Sequence, residues 1–158
     1  MTILGIDPGT TTIGYAILEV ENKPCLQDCG LIKITSDNNL GWLLDLHLEL
    51  KKLIAYWQPG RVAVERLFFA KNVKTASAVS EARGVILLTT ALAGLSVYEY
   101  TPLEVKKAVT GDGGADKQQL EKMVRLTLPE TKNLEAVDDV FDAIGVALTC
   151  CFKEKKTF

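Results

Sequence analysis

Asp7, Glu65, Asp138, Asp139 and Asp142 are acids set at the ends of apolar runs, and together they offer an all-oxygen site for a hard cation. Asp7 closes the run Ile3-Leu4-Gly5-Ile6 and is followed at once by Pro8-Gly9; Glu65 closes Val62-Ala63-Val64. An isolated carboxylate loses its hydration on burial, so such acids need a partner. For Asp7 alone the simpler role is to cap the turn at Gly9. Asp138, Asp139 and Asp142 precede Ala143-Ile144-Gly145-Val146-Ala147-Leu148. Helical residues three or four apart share a face, so Asp142 aligns with Asp139 or with Asp138. Like charges at that spacing weaken a helix unless a cation offsets them. An acid in the first turn is favoured by the helix dipole, which accounts for Asp138, but Asp142 lies deeper in the apolar segment. With no thiolate or imidazole beside them, these acids suit Mg²⁺ or Mn²⁺ rather than zinc. Two such ions about 3.5–4 Å apart activate a water and stabilise the leaving oxygen of a phosphodiester.

The elements that must position these acids are legible from periodicity. Strand one ends at Asp7, strand two runs from about Thr12 to Val20, and Glu21-Asn22-Lys23-Pro24 turns the chain into a third strand over Leu26–Ile34. Asp37-Asn38-Asn39 offers a cap for a helix that carries Leu40, Leu43, Leu44, His47, Leu50, Leu53, Ile54 and Trp57, stopped by Pro59-Gly60. His47, the single histidine, falls in that apolar pattern and reads as a packing residue rather than a general base. Arg61–Glu65 is a short buried strand, Asn72–Ala93 a long helix and Ser96–Tyr100 a fifth strand. Thr101-Pro102 opens a short helix to Val109, Gly111-Asp112-Gly113-Gly114 is a loop, and helices follow over Asp116–Leu128 and Leu134–Phe152. Three antiparallel strands followed by helix-linked parallel ones predict an α/β fold, a five-stranded mixed sheet with helices on both faces. Asp7 and Glu65 then sit at strand ends, where ligands gather in open α/β sheets.

Composition sets the outer limits. A chain of 158 residues fits one domain, residues 1–158, with no linker or repeat inside it. Apolar residues make up 47% of it, as expected of a globular protein. No apolar run is long enough to span a bilayer and the start lacks a basic signal segment, so a cytoplasmic protein without membrane contact is expected. Cys25, Cys29, Cys150 and Cys151 lack the paired spacing of a zinc site and read as buried free thiols. The net charge of −2 hides an asymmetry, because residues 51–125 carry 12 Lys and Arg against 7 Asp and Glu. A basic middle between acidic ends suits a polyanion partner, and equally an ordinary soluble surface.

Taken in order and spacing, a set of short motifs is more specific than any one of them. They are Gly5-Ile6-Asp7-Pro8-Gly9-Thr10, Val64-Glu65-Arg66-Leu67-Phe68-Phe69 with Asn72, Ala82-Arg83-Gly84-Val85 and Val105-Lys106-Lys107. The set continues with Gly111, Gly113, Ala115, Lys117, Met123 and Val124, and closes with Asp139-Val140-Phe141-Asp142-Ala143. Over nearly its whole length the chain resembles the RuvC-type Holliday-junction resolvases of the RNase H-like nuclease superfamily. The resemblance implies four metal-binding, catalytic carboxylates at Asp7, Glu65, Asp139 and Asp142, and so selects Asp139 over Asp138. Some members of the family carry His at the position of Asp139, and between the two acids Val140 and Phe141 are bulkier than is usual there.

The same resemblance implies a homodimer that binds a four-way DNA junction and nicks two opposed strands symmetrically during recombination and repair. The ends would be 5′-phosphate and 3′-hydroxyl, with two Mg²⁺ per active site for which Mn²⁺ could substitute, and a branch-migration complex would be a partner. Lys106 and Lys117 would hold the scissile phosphate, and Phe68 would insert into the junction as an aromatic wedge. Lys71, Lys74 and Arg83 would contact the DNA backbone. Three other readings compete. The start also resembles the phosphate-binding hairpin of sugar kinase and actin-like ATPases, but those need two such domains and leave Glu65, Asp139 and Asp142 unexplained. An RNase H-like nuclease acting on RNA, as in ribosomal RNA processing, fits the carboxylates but not the Phe68 region, the glycine loop and Lys117. A junction-binding protein without cleavage would lack one of the four acids, and all four are here.

Overall fold

The structure, a computed structural model, describes residues 1–9, 11–66 and 73–154, with residues 73–75 as backbone only. Five strands form one mixed sheet: β1 (Thr2–Pro8), β2 (Ile13–Val20), β3 (Pro24–Leu31), β4 (Arg61–Glu65) and β5 (Val97–Tyr100), in the spatial order β3-β2-β1-β4-β5. β1 pairs antiparallel with β2, and β2 with β3; β1 pairs parallel with β4, and β4 with β5. This is the expected five-stranded mixed sheet. The helices are α1 (Asn39–Trp57), α2 (Val73–Leu92), α3 (Pro102–Thr110), α4 (Lys117–Thr127) and α5 (Asp138–Lys153), with a single 3₁₀ turn over Pro129–Thr131.

Alternation along the strands divides the core in two. Leu4, Ile6, Ile13, Ile17, Val62 and Val64 point to one face and pack with Leu46, Leu50 and Ile54 of α1 and Ala82 and Ile86 of α2. Ile3, Ala16, Leu18 and Ala63 point to the other, where α5 lies across the sheet with α3 and α4 outside it. From Val140 to Cys151 nearly every residue of α5 is buried, as expected of a helix covered on all sides. Local chemistry sets the helix starts. The Asn38 side chain accepts from Gly41 N at the head of α1, and capping boxes Thr101/Glu104 and Asp116/Gln119 open α3 and α4.

Three expectations need correction. β3 runs over Pro24–Leu31 rather than Leu26–Ile34, because a bulge at Gln27 shifts its register and breaks the alternation that the reading relied on. α5 starts at Asp138, not Leu134. Residues 134–137 are irregular, and the segment that leads into them is held by Arg125: Nη2 donates to Leu134 O (2.9 Å) and Nη1 to Lys132 O (3.1 Å) and to Thr131 O. Finally, all four cysteines are free but only Cys150 and Cys151 are buried; Cys25 and Cys29, on the edge strand β3, are partly exposed. His47 does pack, its Nδ1 lying 2.8 Å from Thr89 Oγ1 between α1 and α2.

Candidate active site

The parallel pairing of β1 with β4 brings the first two acids together. Ile6 pairs with Val64, so Asp7 and Glu65 are the next residues along on neighbouring strands. Both share the parity of Gly5 and Ala63, which turns them to the α5 face. Asp7 is only 7% exposed. Its carboxyl and that of Glu65 are neighbours, and both are held well above the usual carboxylate range. For Asp7 burial is the main cause, followed by the charges of Glu65, Asp142 and Asp139. For Glu65 burial and Asp142 raise it, while the bond to Asp7 and the charges of Lys117 and Lys106 pull it back.

α5 supplies the other two acids by coming unusually close to the sheet. Gly14 stands opposite Asp7 in the β1–β2 ladder, and a methyl group at Gly14 would overlap the backbone carbonyl of Asp139. Further along α5, one turn on, a methyl at Gly5 would overlap the backbone carbonyl of Ala143, and it would come within 2.7 Å of Ala147 Cβ a turn later. These two bare positions let the helix backbone rest on the strands, so Asp139 and Asp142, both half-buried, face Asp7 and Glu65. Burial pushes the Asp142 carboxyl up, and the ammonium of Lys117 opposes the rise. Val140 and Phe141, between the two acids, are buried in the core, and the Arg125 guanidinium lies 4.7 Å from the Phe141 ring centre.

Two of the lysines lie beside this cluster. Lys117, the first residue of α4, reaches Asp138 Oδ2 at 3.1 Å and Asp142 Oδ2 at 3.5 Å. Partial burial works against its charge, but Asp138 and Asp142 outweigh that and hold it above the ordinary lysine range. Lys106 on α3 acts on Glu65 from the same side. Arg83 is instead engaged by Glu99 of β5, with Nε donating to Oε1 at 2.9 Å. Phe68 and Lys71 lie outside the described residues, as does the side chain of Lys74.

In this arrangement Asp142 leans to Lys117, and Thr12 Oγ1 donates to Asp139 Oδ2. Among the described residues no three of the acids already converge on one point at coordination distance. The donor set is nevertheless entirely oxygen and partly desolvated, with the carboxyls of Asp7 and Glu65 pushed up by burial and by neighbouring charge, which suits a hard divalent cation rather than zinc. The sequence reading missed Thr12, which gives no signal beyond a hydroxyl residue just before β2. Gly14 was visible as a glycine inside an apolar strand, a mark of close backbone approach.

Comparison with known proteins decides the family. The profile described as "Crossover junction endodeoxyribonuclease RuvC" matches residues 3–150. The chain belongs to the RuvC family. It is 47% identical over 147 residues to the RuvC of Roseiflexus sp. (strain RS-1), covering 92% of this chain and 87% of that one. It is also 47% identical over 151 residues to the RuvC of Caldicellulosiruptor saccharolyticus, covering 94% and 90%. Among solved structures, Thermus thermophilus RuvC superposes with a TM-score of 0.88 at 32% identity, covering 99% of this chain and 96% of that one. The same protein in complex with Holliday junction substrate gives 0.88 at 31%, again covering 99% and 96%. The yeast mitochondrial Holliday junction resolvase Ydc2 shares the fold, with a TM-score of 0.64 at 15% identity over 93% of this chain and 77% of that one. The RuvC match thus agrees with the RNase H-like sheet expected from the motifs. Among the described residues no helix is long and apolar enough to cross a membrane.

Proposed function

We propose that this chain is a Holliday-junction resolvase, a metal-dependent endonuclease that makes paired symmetric nicks in four-way DNA junctions during recombination and repair. It would leave 5′-phosphate and 3′-hydroxyl ends, and residues 1–158 would act as one nuclease domain in the cytoplasm. The observation that carries the reading is the meeting of Asp7 and Glu65, at adjacent strand ends, with Asp139 and Asp142 on the helix laid across them. On a RuvC-family chain, this favours cleavage of a DNA junction over RNA processing or binding alone.

Asp7, Glu65, Asp139 and Asp142 would hold the metal, two Mg²⁺ per site with Mn²⁺ as substitute. Bound there, the ions would lower the pKa of the attacking water and neutralise the departing 3′ oxygen. Lys117 and Lys106 flank the acids as compact cations suited to a phosphate, and Lys117 exchanges its bonds to Asp138 and Asp142 for the scissile phosphate. Phe68 is assigned the stacking wedge, and Lys71 and Lys74 backbone contacts. Arg83 is the weakest of the proposed DNA contacts, since Glu99 already takes its guanidinium.

Symmetric cleavage calls for two active sites, hence a homodimer. Leu44 and Leu48 on α1 and Leu88 and Leu92 on α2 are exposed on two helices packed together, which supports a second copy seated there. A branch-migration complex would deliver the junction.

The deciding experiment is cleavage of a synthetic mobile four-way junction with Mg²⁺ and with EDTA, beside linear duplex and an RNA/DNA hybrid. Paired, ligatable nicks on the junction alone, and with Mg²⁺ alone, are expected. Cleavage of the hybrid instead would keep the carboxylate site and overturn the substrate; tight binding without cleavage would leave a binding protein.

A further inference from the structure

Asp139 differs from the other three acids in what holds it. Asp7 and Glu65 lie side by side and Asp142 has Lys117, whereas Asp139 lies in the first turn of α5, a helix that opens without a side-chain cap. Its neighbour Asp138 is exposed and turned to Lys117. The loop between β1 and β2 does the holding. Gly14 receives the backbone of Asp139, Gly9 passes so near that a methyl there would touch Asp139 Oδ2 at 3.4 Å, and the Thr12 hydroxyl donates to that same oxygen. A methyl at Gly9 would also overlap the Thr12 carbonyl, so Gly9 and Thr12 pack tightly together against the carboxylate.

We propose that Thr12 is a positioning residue for the cleavage reaction: by occupying Oδ2 of Asp139 it fixes the carboxylate's rotation and leaves the other oxygen to coordinate metal. The inference rests on the reading that Asp139 is a ligand. A short carboxylate side chain in a helical first turn has free rotamers, and a hydrogen-bond partner that selects one raises metal affinity without adding charge. Hydroxyl rather than ammonium is the suitable donor, because a cation would compete with the metal for the same oxygens.

The test compares Thr12→Val, which keeps the branched shape but lacks the hydroxyl, with Thr12→Ser, which keeps the hydroxyl, and with Asp139→Asn. Mn²⁺ affinity of the full chain without DNA is read by electron paramagnetic resonance or calorimetry. Mg²⁺ dependence of junction cleavage, junction binding in EDTA and thermal melting accompany it. Thr12→Val is expected to weaken Mn²⁺ binding by about tenfold, as loss of a ligand's outer partner typically does. It should raise the Mg²⁺ needed for half-maximal cleavage in step, leaving melting and junction binding unchanged, with Thr12→Ser within about twofold of wild type. Two results overturn the inference: unchanged Mn²⁺ affinity in Thr12→Val, or equal loss in Thr12→Ser, which would mean that the methyl group rather than the hydroxyl matters. If Asp139→Asn leaves Mn²⁺ affinity unaltered, the assignment of Asp139 as a ligand falls first and takes Thr12 with it. If Asp139→Asn weakens binding and Thr12→Val does not, only the role of Thr12 falls.

Discussion

Asp7 stores an electrostatic conflict that is useful only when a cation relieves it. Its carboxyl is buried among three others and holds its proton far above the range of an unfolded aspartate, near 4. A group that binds more protons folded than unfolded makes stability fall as pH rises. The metal-free protein is therefore expected to lose stability from about pH 4 through neutrality. Added Mg²⁺ should recover it, as shown by melting curves in EDTA and in Mg²⁺ across that range. Asp7→Asn keeps the side chain's size and removes the titrating group. It should flatten the pH dependence and stabilise the metal-free protein at neutral pH by about 1–3 kcal/mol, while abolishing cleavage and preserving junction binding. Wild-type cleavage rates in Asp7→Asn would refute its role. Lys117→Ala should cut cleavage strongly and lower the salt dependence of junction binding by about one ion. Melting near the wild-type temperature would separate this from misfolding, since its ion pairs are exposed and contribute little.

At the scale of elements, the decisive feature is how closely α5 lies on β1 and β2. Helix–sheet contact normally passes through side chains, and here Gly5 and Gly14 remove them where the acids must meet. Gly14→Ala places a methyl group into the carbonyl of Asp139 and must lift the start of α5. Overpacking of this kind costs about 1–3 kcal/mol, visible in chemical denaturation. Cleavage should fall further than the folded fraction does, because a displacement of an ångström at Asp139 separates it from Asp7. Cleavage that merely tracks the folded fraction would mean that the helix can shift without moving the site. The bulky pair Val140 and Phe141 serves the same placement from the other side, buried in the core with Arg125 over the Phe141 ring and its guanidinium on the turn before α5.

For the whole molecule, the proposed two-strand cleavage would depend on a second copy. The exposed leucines of α1 and α2 offer the apolar face for it. Leu48→Glu combined with Leu92→Glu is expected to turn a dimer into a monomer in sedimentation and to replace paired nicks by single ones. A dimer that persists would move the interface elsewhere. The basic middle of the chain fits the same picture, since Lys106 and Lys117 lie in it and flank an acidic cluster whose members come from both ends and the centre of the sequence.

Strand alternation and helical spacing suffice to predict the mixed sheet, the two-faced helix arrangement and the candidate acids Asp7, Glu65, Asp138, Asp139 and Asp142, because binary patterning and turn residues act locally. The motif order supplied the choice of Asp139 over Asp138, which spacing alone left open. Periodicity failed where tertiary contacts override it: the bulge at Gln27, which only pairing with β2 reveals, and the start of α5, where Arg125 holds the segment that leads into residues whose pattern reads as helix. Thr12 and Asp139, 127 residues apart, carry no mutual signal in one sequence. Their bond exists because α5 rests closely on β1 and β2 at two glycines, and it is that packing, a property of the folded whole, that brings the separate carboxylates together.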